Sequence, residues 1–335
     1  MLRKLPISLF SAATAFAVAV AGTPAQAVTL KLTTCLAKNH DQSEALVETF
    51  YDPINAKKTD LTLRYLGGPE VTPRQKQAPA LKRGLIDIIM CPAPYYGGIL
   101  SEARLPGVQN RSLEEIRANG GWDMMQEAWG KGLNARILAW TTFNGQTFYV
   151  YTRFKPKLST KTGLDLTGIK VRSTGLYNPL FRAMGATTVN MNPGDLYTGL
   201  ERGVVQGLAW PWGSIAKYGW QRFLKYRIKP SFYGASFMTI INLDKWNSLT
   251  KAQKDLLESQ ARVYEQESSA IIIAKGKIDD IKLKEAGVQD LELKGAVRKA
   301  YLKTIYGAKW AENDKLKYIV DYKKLKAKLY RQPGS

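Results

Sequence analysis

Segments with strand character and segments with helix character alternate along the early part of the chain, and this order constrains the fold most. Residues 28–36, 61–66 and 84–90 have the apolar patterns of strands, and helical patterns lie between them at 41–50 and 75–83. Parallel neighbours in a sheet need a long crossover connection, which is usually a helix. The sequence therefore predicts an α/β fold that begins with a doubly wound, mainly parallel sheet.

A second unit of the same kind spans about 148–235, with strands expected at 148–152, 169–173 and 187–191. Two such units side by side imply two lobes, each a mainly parallel sheet flanked by helices, with a cleft between them. We expect lobe I to comprise 28–146 plus about 236–278, and lobe II to comprise 147–235 plus about 279–335.

A helical pattern without proline runs from Thr250, a suitable N-cap, to about residue 286. A helix of that length exceeds the usual helix of a globular domain, so we expect it to run across both lobes. Other helices are predicted at 41–50, with Asp41 as a plausible N-cap, and at 113–129, about 296–310 and 313–329.

Residues 1–27 have the three parts of a secretory signal peptide. Arg3 and Lys4 are basic, residues 5–20 are almost all apolar, and Ala25-Gln26-Ala27 is a small-residue cleavage site. An uncleaved membrane anchor is the alternative, but the apolar run is shorter than the roughly 20 residues that span a bilayer. We therefore expect residues 1–27 to be removed and the mature protein to lie in the periplasm.

The chain carries 49 Lys plus Arg against 28 Asp plus Glu, a formal net charge of +21. Nucleic-acid-binding proteins concentrate such charge in a stripe or an arm, whereas here it is scattered except for a Lys-rich segment at 309–328. That segment alternates with apolar residues at helical spacing, which is typical of a solvated helix face. We expect no nucleic-acid partner, and a positive surface would instead speed encounters with small anions.

The chain contains one histidine, His40, which limits the enzyme classes to which it can belong. Zinc-protease helices need two imidazoles, and Ser-His-Asp and Cys-His sites need a base beside a nucleophile. His40 lies in the first strand-to-helix loop, where a surface or packing role is the alternative to a ligand contact. The two cysteines lack metal-ligand spacing. The sequence therefore argues against an enzyme and against a structural metal site.

Arg172 is the residue that we single out on position and chemistry. It ends a predicted strand after the turn at 165–168, where the crevice of a parallel sheet opens. A planar guanidinium in that place can bind a carboxylate through two parallel hydrogen bonds. A structural ion pair is the alternative.

Four spaced blocks surround Arg172 in the sequence. They are Asp165-Leu-Thr-Gly-Ile-Lys-Val-Arg172, Ala183-Met-Gly-Ala186, Met191-Asn-Pro-Gly-Asp-Leu-Tyr197 and Leu200-Glu-Arg-Gly-Val-Val-Gln-Gly207. Together they resemble the solute-binding proteins of tripartite ATP-independent periplasmic (TRAP) transporters, and the resemblance extends weakly over the whole mature chain.

The resemblance implies two α/β lobes, joined by crossing strands and one long helix, that close over a carboxylate and deliver it to membrane permease subunits. The family's strand-end arginine corresponds to Arg172, and one of its cleft residues corresponds to Trp210. Gln206 stands where the family often has Asp, and Trp210 stands where some acidic-sugar binders have Asn, so their ligand is not transferred. Some relatives bridge the carboxylate with a cation, and no other cofactor is implied.

Topology adds further cleft candidates on loops that should face the same crevice, although each ring among them could instead belong to the core. Because the set is rich in aromatic rings and poor in acids, it predicts an aromatic or otherwise apolar carboxylate as the ligand. The alternatives are a small 2-oxo or 2-hydroxy acid as the ligand, and a sensory protein that partners a membrane kinase. The candidates are Asn39, His40, Tyr95, Tyr96, Phe143, Asn144, Thr147, Tyr177, Trp212 and Phe237.

Cys35 and Cys91 lie near the C-terminal ends of the first and third predicted strands, which are neighbours in the usual strand order 2-1-3. An exported protein permits a disulfide. Adjacent strands do not ensure the Cβ geometry that the bond requires, so the sequence leaves this bridge open.

Overall fold

The computed structural model describes residues 27–142 and 147–331. The predicted signal peptide, apart from Ala27, and the site candidates Phe143 and Asn144 lie outside these residues. The described chain folds into two lobes, each built on one large sheet. Its strands are β1 (Val28–Thr34), β2 (Leu61–Gly67), β3 (Ile88–Pro92), β4 (Ala135–Thr142), β5 (Phe148–Thr152), β6 (Lys157–Ser159), β7 (Gly163–Asp165), β8 (Lys170–Ser173), β9 (Thr187–Asn190), β10 (Gly207–Pro211), β11 (Tyr226–Phe232), β12 (Ser236–Asn242) and β13 (Gln289–Glu292).

The first lobe is built on a five-stranded sheet with the order β2-β1-β3-β12-β4. β1 is parallel to both β2 and β3, as the alternation of strands and helices predicts. The chain enters β12 on its return from the second lobe, and β12 runs antiparallel to β3 and β4. The predicted parallel arrangement is thus present in the first three strands, and an antiparallel pair completes the sheet.

The second lobe is built on a six-stranded sheet with the order β13-β11-β5-β10-β8-β9. Its pairs are parallel toward both edges, and β5 in the middle is antiparallel to β10 and β11. β6 and β7 form a separate hairpin. The chain crosses between the two large sheets from β4 to β5 and from β11 to β12. The predicted two-lobed α/β fold is therefore confirmed.

Helices flank both sheets, and none in the described part of the chain is long and apolar enough to cross a membrane. They are α1 (Asp41–Leu46), α2 (Asp52–Ala56), α3 (Arg74–Lys82), α4 (Leu113–Ala118), α5 (Gly121–Leu133), α6 (Asn178–Ala183), α7 (Leu196–Glu201), α8 (Leu243–Ser248), α9 (Lys251–Glu285), α10 (Gly295–Asn313) and α11 (Tyr322–Leu329).

The helix α9 is continuous over 35 residues and touches both lobes. Thr250 caps it as predicted, because its hydroxyl accepts the Gln253 N–H and the Gln253 side chain accepts the Thr250 N–H. The earlier turns pack against β4 and α1 of the first lobe. The last turns meet the second lobe, where Asp280 bonds to Arg227. This is the long helix that the sequence places across both lobes.

The helix predicted at 113–129 is two helices in the structure. Gly120 separates α4 from α5 and has a φ of +80°, a left-handed conformation that glycine adopts without strain. The hydrophobic pattern continues through this break, which is why the sequence indicated one helix.

The C-terminal region departs from the prediction in position and in lobe. The last helix begins at Tyr322 rather than at 313, because the Ile319 and Val320 N–H groups of the preceding turn bond to the buried Glu102 carboxylate of the first lobe. α11 then packs against α5. This helix therefore lies with the first lobe, whereas the sequence predicts about 279–335 for the second lobe.

Cys35 and Cys91 form a disulfide, with their Cα atoms 5.2 Å apart. β1 and β3 are paired at this point, and the Cys35 N–H donates to the Met90 carbonyl at 3.0 Å. The bridge that the sequence left open is thus formed between two neighbouring strands.

Candidate functional site

A cavity of about 50 Å³ lies between the two sheets. The first lobe and the second lobe each supply part of its wall, and the crossing from β11 to β12 supplies Gly234 and Ala235. Six of the residues predicted from the sequence line it, namely Arg172, Trp210, Tyr95, His40, Tyr177 and Phe237.

Arg172 is the charged centre of this cavity. It lies on β8 between β9 and β10, with 1% of its surface exposed. Its Nε donates to the Met191 carbonyl at 3.0 Å, and its Cζ lies 5.4 Å from the centre of the Trp210 ring. Its Nη2 has no hydrogen-bond partner, and none of the described carboxylates lies within 4.0 Å of the guanidinium. A buried cation without a counter-charge is costly, so a bound anion would stabilise this group.

Trp210 forms a rigid wall beside Arg172. It lies on β10 and is 5% exposed. Its ring packs edge-on against Trp220 at 4.8 Å and against Tyr218 at 6.3 Å. Aromatic rings favour this edge-to-face geometry, so the neighbouring rings fix the orientation of the indole.

His40 lines the cavity from the first lobe and is also the N-cap of α1, the position for which the sequence suggested Asp41. Its Nδ1 accepts the Gln42 N–H at 3.1 Å. Because Nδ1 is an acceptor, the neutral ring carries its proton on Nε2. The ring lies 6.5 Å from the rings of Trp210 and Phe237, both of which line the cavity.

The charge state of His40 follows from its surroundings. Burial lowers its pKa from the ordinary 6.5 to about 4. The Asp41 and Glu44 carboxylates oppose this shift, and Lys217 and Lys275 support it. His40 is therefore a neutral hydrogen-bond donor at neutral pH.

Tyr177 and Tyr95 add aromatic surface to the wall. Tyr177 packs against Phe148 with ring centres 5.4 Å apart, and burial raises the pKa of its hydroxyl even though Arg172 acts in the opposite direction. Tyr95 is half-buried, with the Arg74 Cζ over its ring at 4.3 Å. Arg74 itself does not line the cavity.

Four other predicted site residues do not line the cavity. Asn39 is exposed. Tyr96 is buried in the core beside it, and Thr147 bonds to the second crossing through Tyr233 and Ala235. Trp212 lies against Gly276 of α9 instead. Phe143 and Asn144 fall outside the described residues.

Much of the apolar wall is formed by residues that were not among the predicted site residues. Phe148 starts β5, and Thr174 and Leu176 follow Arg172 on the loop after β8. Their closeness to Arg172 in the chain was a usable signal. Leu36, Pro92 and Pro94 beside the disulfide carried no signal of their own.

An ion cluster next to His40 joins the lobes. Asp41 and Glu44 on α1 accept hydrogen bonds from Lys217, which follows β10 in the second lobe, at 2.8 and 2.9 Å. The Ser214 hydroxyl also donates to Asp41, and Lys275 of α9 donates to Glu44 at 2.6 Å. Burial alone would raise the pKa of Asp41, but the bonds from Lys217 and Ser214 hold it below its usual value. Asp41 therefore stays ionised at neutral pH, and its ion pairs join the lobes.

The described residues that line the cavity do not form a group of side chains that usually binds a metal ion. The described residues contain no group of three or more His, Cys, Asp or Glu side chains that could hold one. Hard cations such as Ca²⁺ favour carboxylate oxygens, and the described cavity wall includes no carboxylate. These residues do not fit a cation that bridges a bound acid.

The sequence blocks around Arg172 and the two-lobed fold both point to one known family. The sequence profile of bacterial extracellular solute-binding protein family 7 matches residues 38–312. The chain belongs to this family. The resemblance drawn from the sequence is thereby confirmed, and this family 7 protein is a solute-binding protein and not an enzyme.

Three solved structures resemble this family 7 protein in fold. An extracytoplasmic solute receptor of Bordetella pertussis that binds pyroglutamic acid is 14% identical, with a TM-score of 0.77 over 90% of this chain and 99% of its own. A TRAP transporter solute binding protein of Bordetella bronchiseptica, with copurified calcium and picolinate, is 20% identical, with a TM-score of 0.75 over 91% and 92%. A TRAP periplasmic solute binding protein of Desulfovibrio salexigens, with bound orotic acid, is 17% identical, with a TM-score of 0.74 over 85% and 92%.

A curated relative from Nostoc sp. is named a monocarboxylate 2-oxoacid-binding periplasmic protein. It is 25% identical to this family 7 protein over 107 residues. The match covers 31% of this chain, and the chain spans 29% of the relative's length.

Proposed function

We propose that this protein is the periplasmic solute-binding component of a TRAP transporter, which captures an organic acid between its lobes and delivers it to membrane permease subunits. The observation that carries the proposal is the buried Arg172 guanidinium, whose Nη2 has no partner in the described chain. A carboxylate would supply the counter-charge through two parallel hydrogen bonds. Pyroglutamate, picolinate and orotate, the acids named for the three similar structures, each carry one carboxylate.

Both lobes would hold the acid. Arg172 and Trp210 come from the second lobe, and His40, Tyr95 and Phe237 come from the first. An acid that contacts residues of both lobes favours their closed arrangement over the open one. The closed pair of lobes is then the surface that the permease subunits bind. A sensory protein would close in the same way, and a pull-down that recovers a membrane kinase instead of permease subunits would favour that role.

Titration of the purified protein with a panel of organic acids tests the proposal. An acid present at 100 times its Kd should stabilise the protein by about 2.7 kcal/mol in a thermal-shift assay. Arg172→Ala should abolish this effect, and Arg182→Ala, which removes an exposed arginine of the same lobe, should retain it. Tight acid binding by Arg172→Ala, or a wild-type protein that binds no acid, would contradict the proposal.

The body of the acid is aromatic or otherwise apolar in this proposal. The wall presents the rings of Trp210, Tyr95, Tyr177, Phe148 and Phe237. Stacking on such rings contributes about 0.5–1.5 kcal/mol beyond area burial, whereas a sugar acid would leave hydroxyl groups without partners. Calorimetry with benzoate and phenylpropanoate against galacturonate and sialic acid separates the two classes. Tight binding of the sugar acids alone would contradict an apolar ligand.

A small 2-oxo or 2-hydroxy acid is the second candidate, and the size of the cavity favours it. Ligand pockets usually have volumes of about 300–1,000 Å³, and the cavity of about 50 Å³ is far smaller. A larger ring would enter only if the lobes moved apart. Pyruvate and lactate in the same titration therefore distinguish this candidate from benzoate-like acids.

A further inference from the structure

The wall of the cavity carries one permanent charge. Among the described residues that line it, Arg172 is the one charged side chain at neutral pH, and none is Asp, Glu or Lys. Residues 143–146, which the structure does not describe, are Phe, Asn, Gly and Gln in the sequence and add no charge. The wall therefore balances one negative charge on a ligand.

Lysines and an arginine on segments beside the cavity are already engaged, and among them Lys309, which donates to the Gly175 carbonyl next to the wall, bonds to Glu312. Lys217 and Lys275 both bond to the carboxylates of Asp41 and Glu44. Arg74 stacks on Tyr95 and is not part of the wall. A second anionic group inside the cavity would find no free cation among the described lining residues.

The first lobe offers a neutral donor instead of a charge. The Nδ1 of His40 is occupied by the Gln42 N–H, so Nε2–H is the donor that the ring can offer to a ligand. The groups that face the ring include two carboxylates on its own helix, two lysines from the second lobe and α9, and the ring of Tyr218 at 6.2 Å. Burial outweighs the carboxylates, and the ring stays uncharged.

We propose that the cavity accepts monocarboxylates and rejects dicarboxylates, with Arg172 binding the carboxylate and the Nε2–H of His40 donating to an uncharged oxygen or nitrogen of the same ligand. This inference rests on the proposed function, because it needs an organic acid at Arg172. A second carboxylate would be buried without a counter-charge, which is far costlier than burying a neutral acceptor that receives a hydrogen bond.

Calorimetry at neutral pH with matched pairs of acids tests the preference for monocarboxylates over dicarboxylates, which we call the charge rule. 2-Oxopentanoate and 2-oxoglutarate share a five-carbon chain and differ by one carboxylate, and benzoate and terephthalate differ in the same way. We expect the monocarboxylate of a pair that binds to be tighter by about 30-fold or more, the effect of an unpaired buried charge.

The outcomes separate this inference from the proposed function. Binding of a dicarboxylate as tightly as its monocarboxylate, lost in Arg172→Ala, would overturn the charge rule and leave the proposed function standing. Failure of all four acids and of pyroglutamate, picolinate and orotate to bind would overturn both. Tightening of dicarboxylate binding between about pH 8 and pH 5.5 would indicate a charged His40 and also overturn the rule.

Two variants test the donor. His40→Ser keeps a capping oxygen for α1 but lacks a donor of similar reach, whereas His40→Asn keeps both a capping oxygen and an amide donor. With 2-oxopentanoate, we expect His40→Ser to weaken binding by about 2- to 13-fold, the worth of one hydrogen bond, and His40→Asn to weaken it less. Benzoate has no acceptor beside its carboxylate and should bind both variants alike. Equal weakening of both acids, or of neither, would overturn the assignment of His40.

Discussion

The indole ring of Trp212 lies against Gly276 of α9, where a Cβ would come within 2.8 Å of two ring atoms. Glycine inside a helix is unfavourable by about 1 kcal/mol relative to alanine. The close approach of the ring accounts for glycine at this position. Trp212, which the sequence placed in the cleft, thus connects the second lobe to the long helix.

Gly276→Ala should lower the free energy of unfolding by about 1–3 kcal/mol, because the added methyl group overpacks the contact with Trp212. Gly307→Ala is the matched control, since it lies in α10 and its Cβ would have no neighbour within 4 Å. That variant should gain about 0.5–1 kcal/mol. Urea denaturation measures both, and a stabilised Gly276→Ala would contradict the contact.

Arg172→Met should separate stability from binding. The apolar side chain fills a similar volume without an unpaired buried charge, so the ligand-free protein should become more stable by about 1–4 kcal/mol. Acid binding should be lost in the same variant. Arg172→Lys should recover little affinity, because an ammonium group cannot form the planar pair. Ligand-free Arg172→Met that is less stable than the wild type in urea would show that the arginine has a structural role.

The ion cluster predicts that salt weakens ligand binding by weakening lobe closure. Lys217→Met removes the ion pairs with Asp41 and Glu44 that join the lobes, so affinity should fall by about 2- to 10-fold and depend less on salt. Lys131→Met breaks the exposed Lys131–Glu127 pair within one lobe and should change neither property. Small-angle scattering should show a larger radius of gyration for ligand-free Lys217→Met. If Lys217→Met binds the acid with unchanged affinity and unchanged salt dependence, the ion cluster does not contribute to lobe closure.

Asp279 predicts a stability that depends on pH. Burial raises its pKa from the ordinary 3.8 to about 6, although the Ile215 and Ala216 N–H groups lower it. Between these values the folded chain binds more protons than the unfolded chain, so the contribution of Asp279 is present at low pH and is lost as the pH rises through its folded pKa. Relative to Asp279→Asn, the free energy of unfolding of the wild type, measured by urea denaturation, should increase as the pH falls from about 7.5 to about 5.

His40→Asn is the control for Asp279→Asn, because stability should depend on pH in the opposite direction. Because the pKa of His40 falls from 6.5 to about 4 on folding, the wild type should lose stability relative to His40→Asn as the pH falls through that window. If the difference in the free energy of unfolding between the wild type and either variant does not change with pH, the pKa of the substituted residue is not shifted by folding.

Reduction of the Cys35–Cys91 disulfide should lower the free energy of unfolding by about 2–4 kcal/mol. Affinity for the acid should fall as well, since the neighbouring residues Leu36 and Pro92 line the cavity. The double variant Cys35→Ala/Cys91→Ala should be as unstable as the reduced protein and should not respond to reductant. Equal stability with and without reductant in the wild type would contradict this role.

Local sequence patterns predicted the strands and helices better than they predicted the contacts between residues that are distant in the chain. The strand expected at 84–90 begins at Ile88, because the preceding turn is held by the Asp87 carboxylate, which accepts the Lys31 N–H at 2.7 Å. Arg172 could be found because its position in a strand and its chemistry are both visible locally. The place of Trp212 depends on Gly276, a residue distant in the chain, and no local pattern reports such a pair.

The described elements alternate between the lobes four times: from β4 to β5, from β11 to β12, along α9, and from α10 to α11. A lobe from a relative could not be grafted as one continuous segment, because a hybrid would have to match every junction and the fit of Trp212 on Gly276. Recombination of whole lobes is therefore a poor route to new ligands. We expect specificity in this lineage to diverge by single substitutions around Arg172.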